Sequence, residues 1–388
     1  MTSKKHTWIL LVALFFSMIY TPFVETALLV SEREIEIESQ KAWEQMLVQN
    51  PLSRDLRKRS LVRCVASNII KQLDEPYRSI DWEINRTNSI GLNSFLKLIK
   101  ILKTLEDKSI VHVFTLKTGF IYIISKLFVK KDFKAILSVT GLGFLFSNKA
   151  LAKMLKTLLR PIFYLCINKV YDVIIFQNKD DKNTFLEYSR YKNVTKLIKS
   201  SGLDTEKYVL KNSFNNNLKV IFASRLLKDK GIYEFTKLAK SLEGSEIEFF
   251  IAGDIDLGNP KSLNESELNE LKKLNYITYL GFIDIEKELH NYDVLVSMSA
   301  HEGFSRVLLE SSFVGLYIVS LENNGTKFIS ELENSELITS LQIDSFIKVL
   351  KNLKEIDLEL STKNRDFIIK NYSSNEIAKQ FKNIYETI

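Results

Sequence analysis

The stretch that decides the fold, residues 293–310, reads DVLVSMSAHEGFSRVLLE. Its first seven residues suit a buried strand, and Gly303 marks a turn after which helical spacing begins. The pattern predicts a strand, a turn and a helix, with Glu302 at the strand end and Glu310 about two turns into the helix. Backbone N–H groups and a helix start would then face one crevice. Such a geometry binds anions, and diphosphates in particular.

Strand-like and helix-like segments alternate on both sides of this stretch, which predicts parallel sheets with right-handed crossovers. The predicted strands are Ile110–Phe114, Ala135–Val139, Asp172–Phe176, Lys196–Lys199, Leu218–Ala223, Glu246–Ala252, Tyr276–Leu280, Asp293–Met298 and Leu316–Ser320. We therefore expect an α/β protein with two Rossmann-like domains, at residues 1–210 and 218–373, facing across a cleft. The polar segment Lys211–Asn217 would link them, and an amphipathic helix at 374–388 would cross back to the first domain.

Composition supports a folded two-domain protein and excludes a disordered one. The chain has 388 residues, of which 45% are hydrophobic and 26% charged, and such a length exceeds one ordinary core. Its two cysteines, Cys64 and Cys166, lie far apart in apolar runs. We expect them to be buried free thiols in a reducing compartment. No Cys/His set has the spacing of metal ligands.

Charge is divided unevenly along the chain. Residues 1–210 carry 33 Lys and Arg against 20 Asp and Glu, whereas residues 211–388 carry 21 against 27. The basic half suggests an anionic partner, and no nucleic-acid-binding motif is visible. Basic residues interleaved with apolar ones at helical spacing favour an anionic membrane surface, an ordinary surface helix being the alternative. These residues are Lys149, Lys153, Lys156 and Arg160, among Leu151, Met154, Leu155, Leu158 and Leu159.

An apolar run near the amino end, Trp8–Tyr20, allows three interpretations. It follows Lys4 and Lys5, as the apolar region of a signal peptide would. It is short for a membrane span, which needs about 20 residues. A buried strand of a parallel sheet, apolar on both faces, fits its length better. A buried strand, a membrane anchor and a cleaved signal therefore all remain open.

A second motif follows the strand Leu218–Ala223 and reads SRLLKDKG over residues 224–231. Arg225 and Lys230 would lie at the carboxyl end of that strand, where a ligand crevice forms in an open α/β sheet. Arginine offers a planar fork to phosphate oxygens, and lysine offers a mobile point charge. An Arg and a Lys five residues apart are weak alone. Their pairing with Glu302 and Glu310 in the same domain favours a diphosphate site.

These motifs together resemble those of retaining family-4 glycosyltransferases with the GT-B fold. The Gly-Leu-Asp at 202–204, the Ile-Ala-Gly-Asp at 251–254 and the Gly-Phe at 281–282 add to the resemblance, which covers residues from about 80 to 388. Within the family, the segments at 81–86 and 138–143 resemble those of bacterial transferases that extend undecaprenyl-diphosphate-linked sugars.

The resemblance implies roles for particular residues. Arg225 and Lys230 would neutralise the donor diphosphate, and Glu302 would lie near the donor sugar as the third catalytic residue. Gly303 and Phe304 would offer backbone N–H groups, and Glu310 would accept hydrogen bonds from the ribose. Gly325 would open a further helix near the donor phosphates. Fixed positive charge can stabilise a departing diphosphate without a metal, so no metal or other cofactor is expected beside the UDP-sugar co-substrate.

The acceptor side departs from the family pattern. Many members carry a histidine where Thr140 stands, and residues 14–30 contain no glycine for the usual glycine-rich loop. Ser224 stands where the Arg motif commonly begins with glycine. The acceptor-side residues expected from the resemblance are Thr140, Gly141, Gly143 and His112. His112 closes a strand, and either a cleft-facing or a hydrogen-bonded core imidazole fits its position.

The expected function is retaining transfer of a sugar, by subgroup resemblance an N-acetylhexosamine, from a UDP-sugar to a lipid-diphosphate-linked acceptor in polysaccharide assembly. The resemblance implies a cytoplasmic enzyme held at the inner face of the cell membrane. Two alternatives remain. One is a nucleotide-sugar epimerase with the same fold, and the other is a membrane-associated nucleotide-sugar binder without catalysis.

Overall fold

The computed structural model describes residues 27–31, 77–81, 92–142, 146, 150–256, 259, 261–353 and 356–388. The apolar run at 8–20, Cys64 and Gly143 lie outside these residues. The chain forms two compact units. The first contains residues 1–176, 182–201 and 378–388, and the second contains residues 177–181 and 202–377. The last helix contributes residues 378–388 to the first unit, where the sequence placed a crossover helix at 374–388.

In the described residues, the first unit contains six strands and four helices that precede its carboxyl-terminal segment. They are β1 (Ala27–Ser31), β2 (Tyr77–Asp81), α1 (Leu92–Thr104), β3 (Ile110–Phe114), α2 (Leu116–Lys126), β4 (Lys134–Val139), α3 (Ala150–Val170), β5 (Val173–Phe176), α4 (Lys179–Ser189, whose first residues belong to the second unit) and β6 (Val194–Leu197). The sheet order is β2-β1-β3-β4-β5-β6. The expected parallel arrangement holds for β3 to β6, whereas β1 runs antiparallel to both neighbours.

The core of the first unit explains why these segments become strands and helices. The strands β3, β4 and β5 are buried almost throughout, as the central strands of a parallel sheet are. Helix α2 covers them with eight consecutive buried residues from Thr118 to Ser125. Among the described residues, no helix is long and apolar enough to cross a membrane.

The second unit is a six-stranded parallel sheet with helices in the crossovers. Its elements are β7 (Leu218–Ala223), α5 (Ile232–Ser241), β8 (Ile247–Ala252), α6 (Glu265–Lys272), β9 (Thr278–Gly281), α7 (Ile285–Glu288), β10 (Val294–Ser297), α8 (Arg306–Val314), β11 (Tyr317–Leu321), β12 (Ser335–Ile338), α9 (Ile343–Asn352), α10 (Leu358–Tyr372) and α11 (Ser374–Thr387, which continues into the first unit). The strand order is β12-β11-β10-β7-β8-β9, and every pair is parallel. Both predicted α/β domains are therefore present.

The expected linker at 211–217 lies inside the second unit. Lys211 is buried, and its Nζ lies 2.9 Å from Oδ1 of the equally buried Asp293, at the amino end of β10. The side-chain amide of Asn215 donates to both carboxylate oxygens of Asp293, at 3.0 and 2.9 Å. These polar residues are needed because a buried carboxylate must be paired and hydrogen-bonded. The division between the units instead falls at Ser201 and Gly202.

Candidate active site

The predicted donor residues follow β7 and β10, which are neighbours in the second sheet. The chain order of the sheet reverses between these two strands, because β8 and β9 lie on one side and β11 and β12 on the other. A crevice opens at the carboxyl ends of strands at such a switch point, and ligands bind there. A pocket at this edge is lined by residues of both strands and by Ser224, Lys230, Ser299, Glu302 and Val307.

Lys230 and Glu302, 72 residues apart in sequence, meet in this pocket. Lys230 Nζ lies 2.5 Å from Glu302 Oε1, and the two side chains are 17% and 19% exposed. Partial burial strengthens such a charge pair relative to one in water. The structure therefore joins two of the three predicted catalytic residues directly.

Arg225, the third predicted catalytic residue, projects from the end of β7 and is paired with a different carboxylate. Its Nη1 lies 2.7 Å from Oδ2 of Asp256, on the loop after β8. The Arg225 side chain is 47% exposed, whereas that of Asp256 is 10% exposed. Sequence reasoning did not identify Asp256, because nothing in the local sequence distinguishes it from the other acidic residues of this half.

A glycine allows the Lys230 segment to approach β10. Gly231 has φ 83°, and a Cβ at this position would stand 2.5 Å from the carbonyl oxygen of Met298. Only glycine accepts both the left-handed backbone and this close approach. The short 3₁₀ turn Lys228–Lys230 and the end of β10 are thus in direct contact.

The loop that carries Glu302 is braced by the loop after β11. Asn323 Nδ2 donates to the carbonyl of Ser299 at 2.9 Å, and the N–H of Ser305 donates to the carbonyl of Gly325 at 3.0 Å. The N–H of Gly325 itself donates to Asn323 Oδ1 at 2.9 Å. Gly325 is therefore part of the loop that holds the Glu302 loop in place. The resemblance implies a helix that opens at Gly325 near the donor phosphates, and a 3₁₀ helix follows at Lys327–Glu331.

Gly303 and Phe304 complete the turn before α8. The carbonyl of Gly303 accepts a hydrogen bond from Asn178 Nδ2 at 2.9 Å within the second unit. The Phe304 ring stacks on Phe328 with a centroid distance of 4.4 Å. In the part of the chain that the structure describes, the N–H groups of residues 302–304 donate to no acceptor. These donors precede a helix start, so the turn can bind an anion.

Glu310 lies in the second turn of α8, because this helix begins at Arg306 rather than directly after Gly303. Its carboxylate is buried, and Oε1 accepts hydrogen bonds from the Tyr208 hydroxyl at 2.8 Å and from Arg306 Nε at 2.7 Å. Burial, with the Glu310 charge, raises the pKa of Tyr208. Glu310 does not line the pocket of Lys230 and Glu302, whereas Val307, one turn earlier, does.

Two of the residues predicted for the acceptor side, Thr140 and Gly141, follow a strand of the first sheet. Thr140 and Gly141 come directly after β4 and are partly exposed. The ends of β3 and β4 are adjacent, since Phe114 pairs with Ser138. Residues that follow these two strands therefore share the carboxyl edge of the first sheet.

His112 does not face that edge, which corrects its assignment to the acceptor side. It is fully buried, with Nε2 2.7 Å from Ser138 Oγ and Nδ1 2.7 Å from Tyr385 Oη. Its ring stacks on Phe114 with a centroid distance of 4.2 Å. Burial lowers the pKa of His112 to about 3, so the imidazole is neutral at physiological pH. It is a core residue that binds the carboxyl-terminal helix.

Lys117 is a residue at this edge that sequence reasoning missed. It lies in the first turn of α2, is partly buried, and has no hydrogen bond or ion pair with any described residue. Burial lowers the pKa of Lys117. The preceding Thr115 has φ 78° and ψ 151°, a strained backbone for a residue with a side chain. The unpaired, partly desolvated charge of Lys117 could be recognised only after the structure placed α2 against the sheet.

Comparison with known proteins agrees with this geometry. Residues 204–374 match the family profile of glycosyl transferases group 1, and this segment includes every predicted donor residue. The capsular polysaccharide biosynthesis glycosyltransferase CapM of Staphylococcus aureus is 23% identical over 362 residues, which cover 86% of this chain and 91% of CapM.

The fold is also shared with solved structures. The Anabaena protein Alr3699/HepE, solved in complex with UDP and glucose, superimposes with a TM-score of 0.61 at 18% identity, covering 76% of this chain and 82% of HepE. The pneumococcal O-GlcNAc transferase GtfA, in complex with UDP and GlcNAc, gives a TM-score of 0.55 at 18% identity, covering 80% of this chain and 61% of GtfA. At these identities the similarity shows the two-domain GT-B fold.

Proposed function

We propose that the protein is a glycosyltransferase that transfers a sugar from a UDP-sugar, with retention, to a lipid-diphosphate-linked acceptor, as the family match and the similarity to CapM support. The observation that carries the proposal is the meeting of Lys230 and Glu302 at the switch point of the second sheet, where Arg225 also follows β7. UDP is the nucleotide in the HepE and GtfA complexes, which share this fold.

The donor side supplies positive charge and N–H groups where a diphosphate would depart. Lys230 would exchange its contact with Glu302 for a phosphate oxygen, and the N–H groups of residues 302–304 would donate to the same group. Released from Lys230, the Glu302 carboxylate would lie beside the donor sugar. Preorganised charge of this kind is usually the largest electrostatic contribution to catalysis.

Glu310 is proposed to bind the ribose. Tyr208 and Arg306 both donate to Oε1 and so hold the carboxylate in one orientation. A fixed, ionised carboxylate accepts strong hydrogen bonds from hydroxyl groups. No metal is assigned a role, and among the described residues no cluster of three or more His, Cys, Asp or Glu side chains could hold one.

The acceptor is proposed to bind at the carboxyl edge of the first sheet. Thr140 and Gly141 follow β4 there, and Lys117 adds a cation in the first turn of α2. An unpaired, partly buried ammonium favours an anionic group, so the diphosphate of a lipid-linked acceptor fits this edge. N-acetylhexosamine as the donor sugar and capsule assembly as the setting remain proposals that rest on family resemblance and on the name of CapM.

Helix α3 is proposed to contact an anionic membrane surface. Lys153, Arg160 and Tyr164 recur at helical spacing on one exposed face, and Met154 (50% exposed) and Leu165 (60% exposed) lie beside them. Basic and apolar residues on one face suit an interfacial contact. Co-sedimentation with phosphatidylglycerol vesicles should fall for the variant Lys153→Glu/Arg160→Glu, and unchanged sedimentation would refute this part of the proposal.

The function is tested by incubating the protein with labelled UDP-sugars and a lipid-diphosphate-linked sugar. Arg225→Ala, Lys230→Ala and Glu310→Ala are assayed beside the wild type, and the product's anomeric configuration is read by NMR. Transfer by the wild type alone, with retention, supports the proposal. Full activity of all three variants would show that the site is wrong. Conversion of the UDP-sugar without an acceptor would indicate an epimerase, and binding without conversion a non-catalytic binder.

A further inference from the structure

The described residues of the loop after β8 (254–256, 259 and 261–263), called here the β8 loop, form hydrogen bonds with the segment that carries the donor cations. The N–H of Leu226 donates to the carbonyl of Asp254 at 3.0 Å, and the N–H of Lys228 donates to the carbonyl of Lys261 at 2.8 Å. The two loops therefore form a short ladder beyond the ends of their strands. A movement of the β8 loop would displace the cation segment with it.

Within the β8 loop, Asp256 is fixed by its neighbours. It is 7% exposed, its Oδ2 accepts a hydrogen bond from Asn259 Nδ2 at 3.2 Å, and its N–H donates to Ser262 Oγ at 2.8 Å. The same Oδ2 accepts from Arg225 Nη1 at 2.7 Å. A buried, immobile carboxylate thus holds one end of a half-exposed guanidinium.

A second ion pair joins the same two loops. Lys261 Nζ contacts Asp229 Oδ2, and the carbonyl of Asp229 accepts a hydrogen bond from the N–H of Ala300 at 3.2 Å. Asp229 directly precedes Lys230 in sequence. The β8 loop is therefore attached beside both cations, and Asp256 contacts the guanidinium of one of them directly.

We propose that Asp256 is the positioning residue for Arg225 in donor binding. This inference rests on the proposed function, since Arg225 is taken to bind the diphosphate. A free arginine side chain populates many rotamers, and a carboxylate that holds one Nη removes much of that freedom before the ligand arrives. Preorganised groups need no reorientation when charge develops on the leaving diphosphate.

The direction in which Asp256→Asn changes the affinity for a nucleotide distinguishes a positioning role from an effect of charge alone. The negative charge of Asp256 opposes the binding of an anion, so if Coulomb interactions alone mattered, its removal would tighten nucleotide binding. If Asp256 acts by orienting Arg225, its removal weakens binding despite the gain in net positive charge. Asp256→Asn keeps the shape and one hydrogen-bond acceptor, which limits effects on folding.

The experiment measures the binding of UDP, GDP and ADP by calorimetry, the KM for the donor and for the acceptor, and the Tm. For Asp256→Asn we expect roughly tenfold weaker binding of the preferred nucleotide, as for a lost charge-assisted hydrogen bond. The donor KM should rise, while the acceptor KM and the Tm stay near wild type. Glu243→Gln, which removes the exposed Lys240–Glu243 pair (2.6 Å), is the matched control and should change none of these.

A double-mutant cycle completes the test. In an Arg225→Ala background, Asp256→Asn should cause no further loss of nucleotide affinity, because the group that it positions is gone. Equal losses in both backgrounds, or unchanged or tighter binding in the single variant, would overturn the inference while leaving the proposed function standing. A wild-type protein that binds none of the three nucleotides would overturn both.

Discussion

The backbone of Gly325 lies directly against that of Glu302, because a Cβ at residue 325 would stand 2.6 Å from the carbonyl oxygen and Cβ of Glu302. The two residues belong to different loops, after β11 and β10, and the absence of a side chain lets those loops touch. The position of a candidate catalytic carboxylate thus depends on a glycine 23 positions later in the chain.

Gly325→Ala should therefore lower turnover by tenfold or more, because the added methyl group forces the Glu302 loop to shift and small displacements of catalytic groups are costly. Steady-state kinetics and thermal unfolding measure the two effects. Gly244→Ala is the control: the added methyl group there meets nothing within 4 Å, although φ is 82°. Gly244→Ala should lower the thermal stability and leave turnover unchanged. Equal turnover in both variants would contradict the role given to Gly325.

Glu302→Gln should separate nucleotide binding from chemistry. Glutamine cannot form the ion pair with Lys230, so the ammonium no longer has a competing carboxylate, and UDP should bind several-fold more tightly. Turnover should fall by roughly a hundredfold, as when a preorganised electrostatic group is removed. Calorimetry with UDP and single-turnover transfer measure the two quantities. Weaker UDP binding in this variant would show that Glu302 does not compete for Lys230.

Glu310→Gln should weaken UDP binding by about 1.5 kcal/mol or more, because hydrogen bonds from the ribose would lose a charged acceptor. Tyr208→Phe removes one of the two donors that orient Glu310 and leaves Arg306 in place, so its effect should be smaller. Calorimetry with UDP and with free uracil distinguishes ribose contacts from base contacts. A larger effect from Tyr208→Phe than from Glu310→Gln would argue against ribose binding by Glu310.

Lys117→Gln should raise the KM for a lipid-diphosphate-linked acceptor and leave the donor KM unchanged, since Lys117 belongs to the first unit. Lys100→Gln replaces an exposed lysine of α1 and should change neither value. The comparison uses initial rates at varied acceptor and fixed donor. An effect of Lys117→Gln on the donor KM alone would show that Lys117 does not belong to the acceptor site.

His112 should make the stability of the first unit sensitive to acid. Because the pKa of His112 is about 3 when folded and its ordinary value is 6.5, the unfolded chain binds a proton first as the pH falls. The contribution of neutral, buried His112 to the free energy of unfolding is complete above pH 6.5. It is lost as the pH falls toward 3, by up to about 1.4 kcal/mol per pH unit. Denaturant unfolding at pH 7.5 and 4.5 should show the advantage of the wild type over His112→Gln shrinking at the lower pH. A constant difference would contradict the assignment.

The sequence predicts features that are set by neighbouring residues better than features that are set by contacts between residues far apart in the chain. Periodicity located β3 and β7 at their observed bounds, because continuous apolar runs bounded by polar turns are local signals. The direction of β1 was not predicted, since strand pairing is set by tertiary contacts. The sequence predicted that α8 begins directly after Gly303, whereas the helix begins at Arg306. The loop after β10 extends past Gly303 because Phe304 packs on Phe328.

The candidate site shows the same division. Arg225, Lys230, Glu302 and Glu310 carry motif spacing and were found from sequence. Their partners carry none: Asp256 and Tyr208 are brought to them by the sheet and by α8. His112 illustrates the reverse case: its position allowed either a cleft-facing or a core imidazole, and folding buried it against Tyr385.

The position of Tyr385 also orders events during synthesis. The ribosome makes β3 and His112 early, yet the side chain that completes their packing lies 273 residues later, after the whole of the second unit. The second unit can therefore fold while the first still lacks a piece of its interior. A nascent chain stalled between the second unit and Tyr385 would present an unfinished first unit to chaperones and proteases, even though β3 to β6 had already been translated.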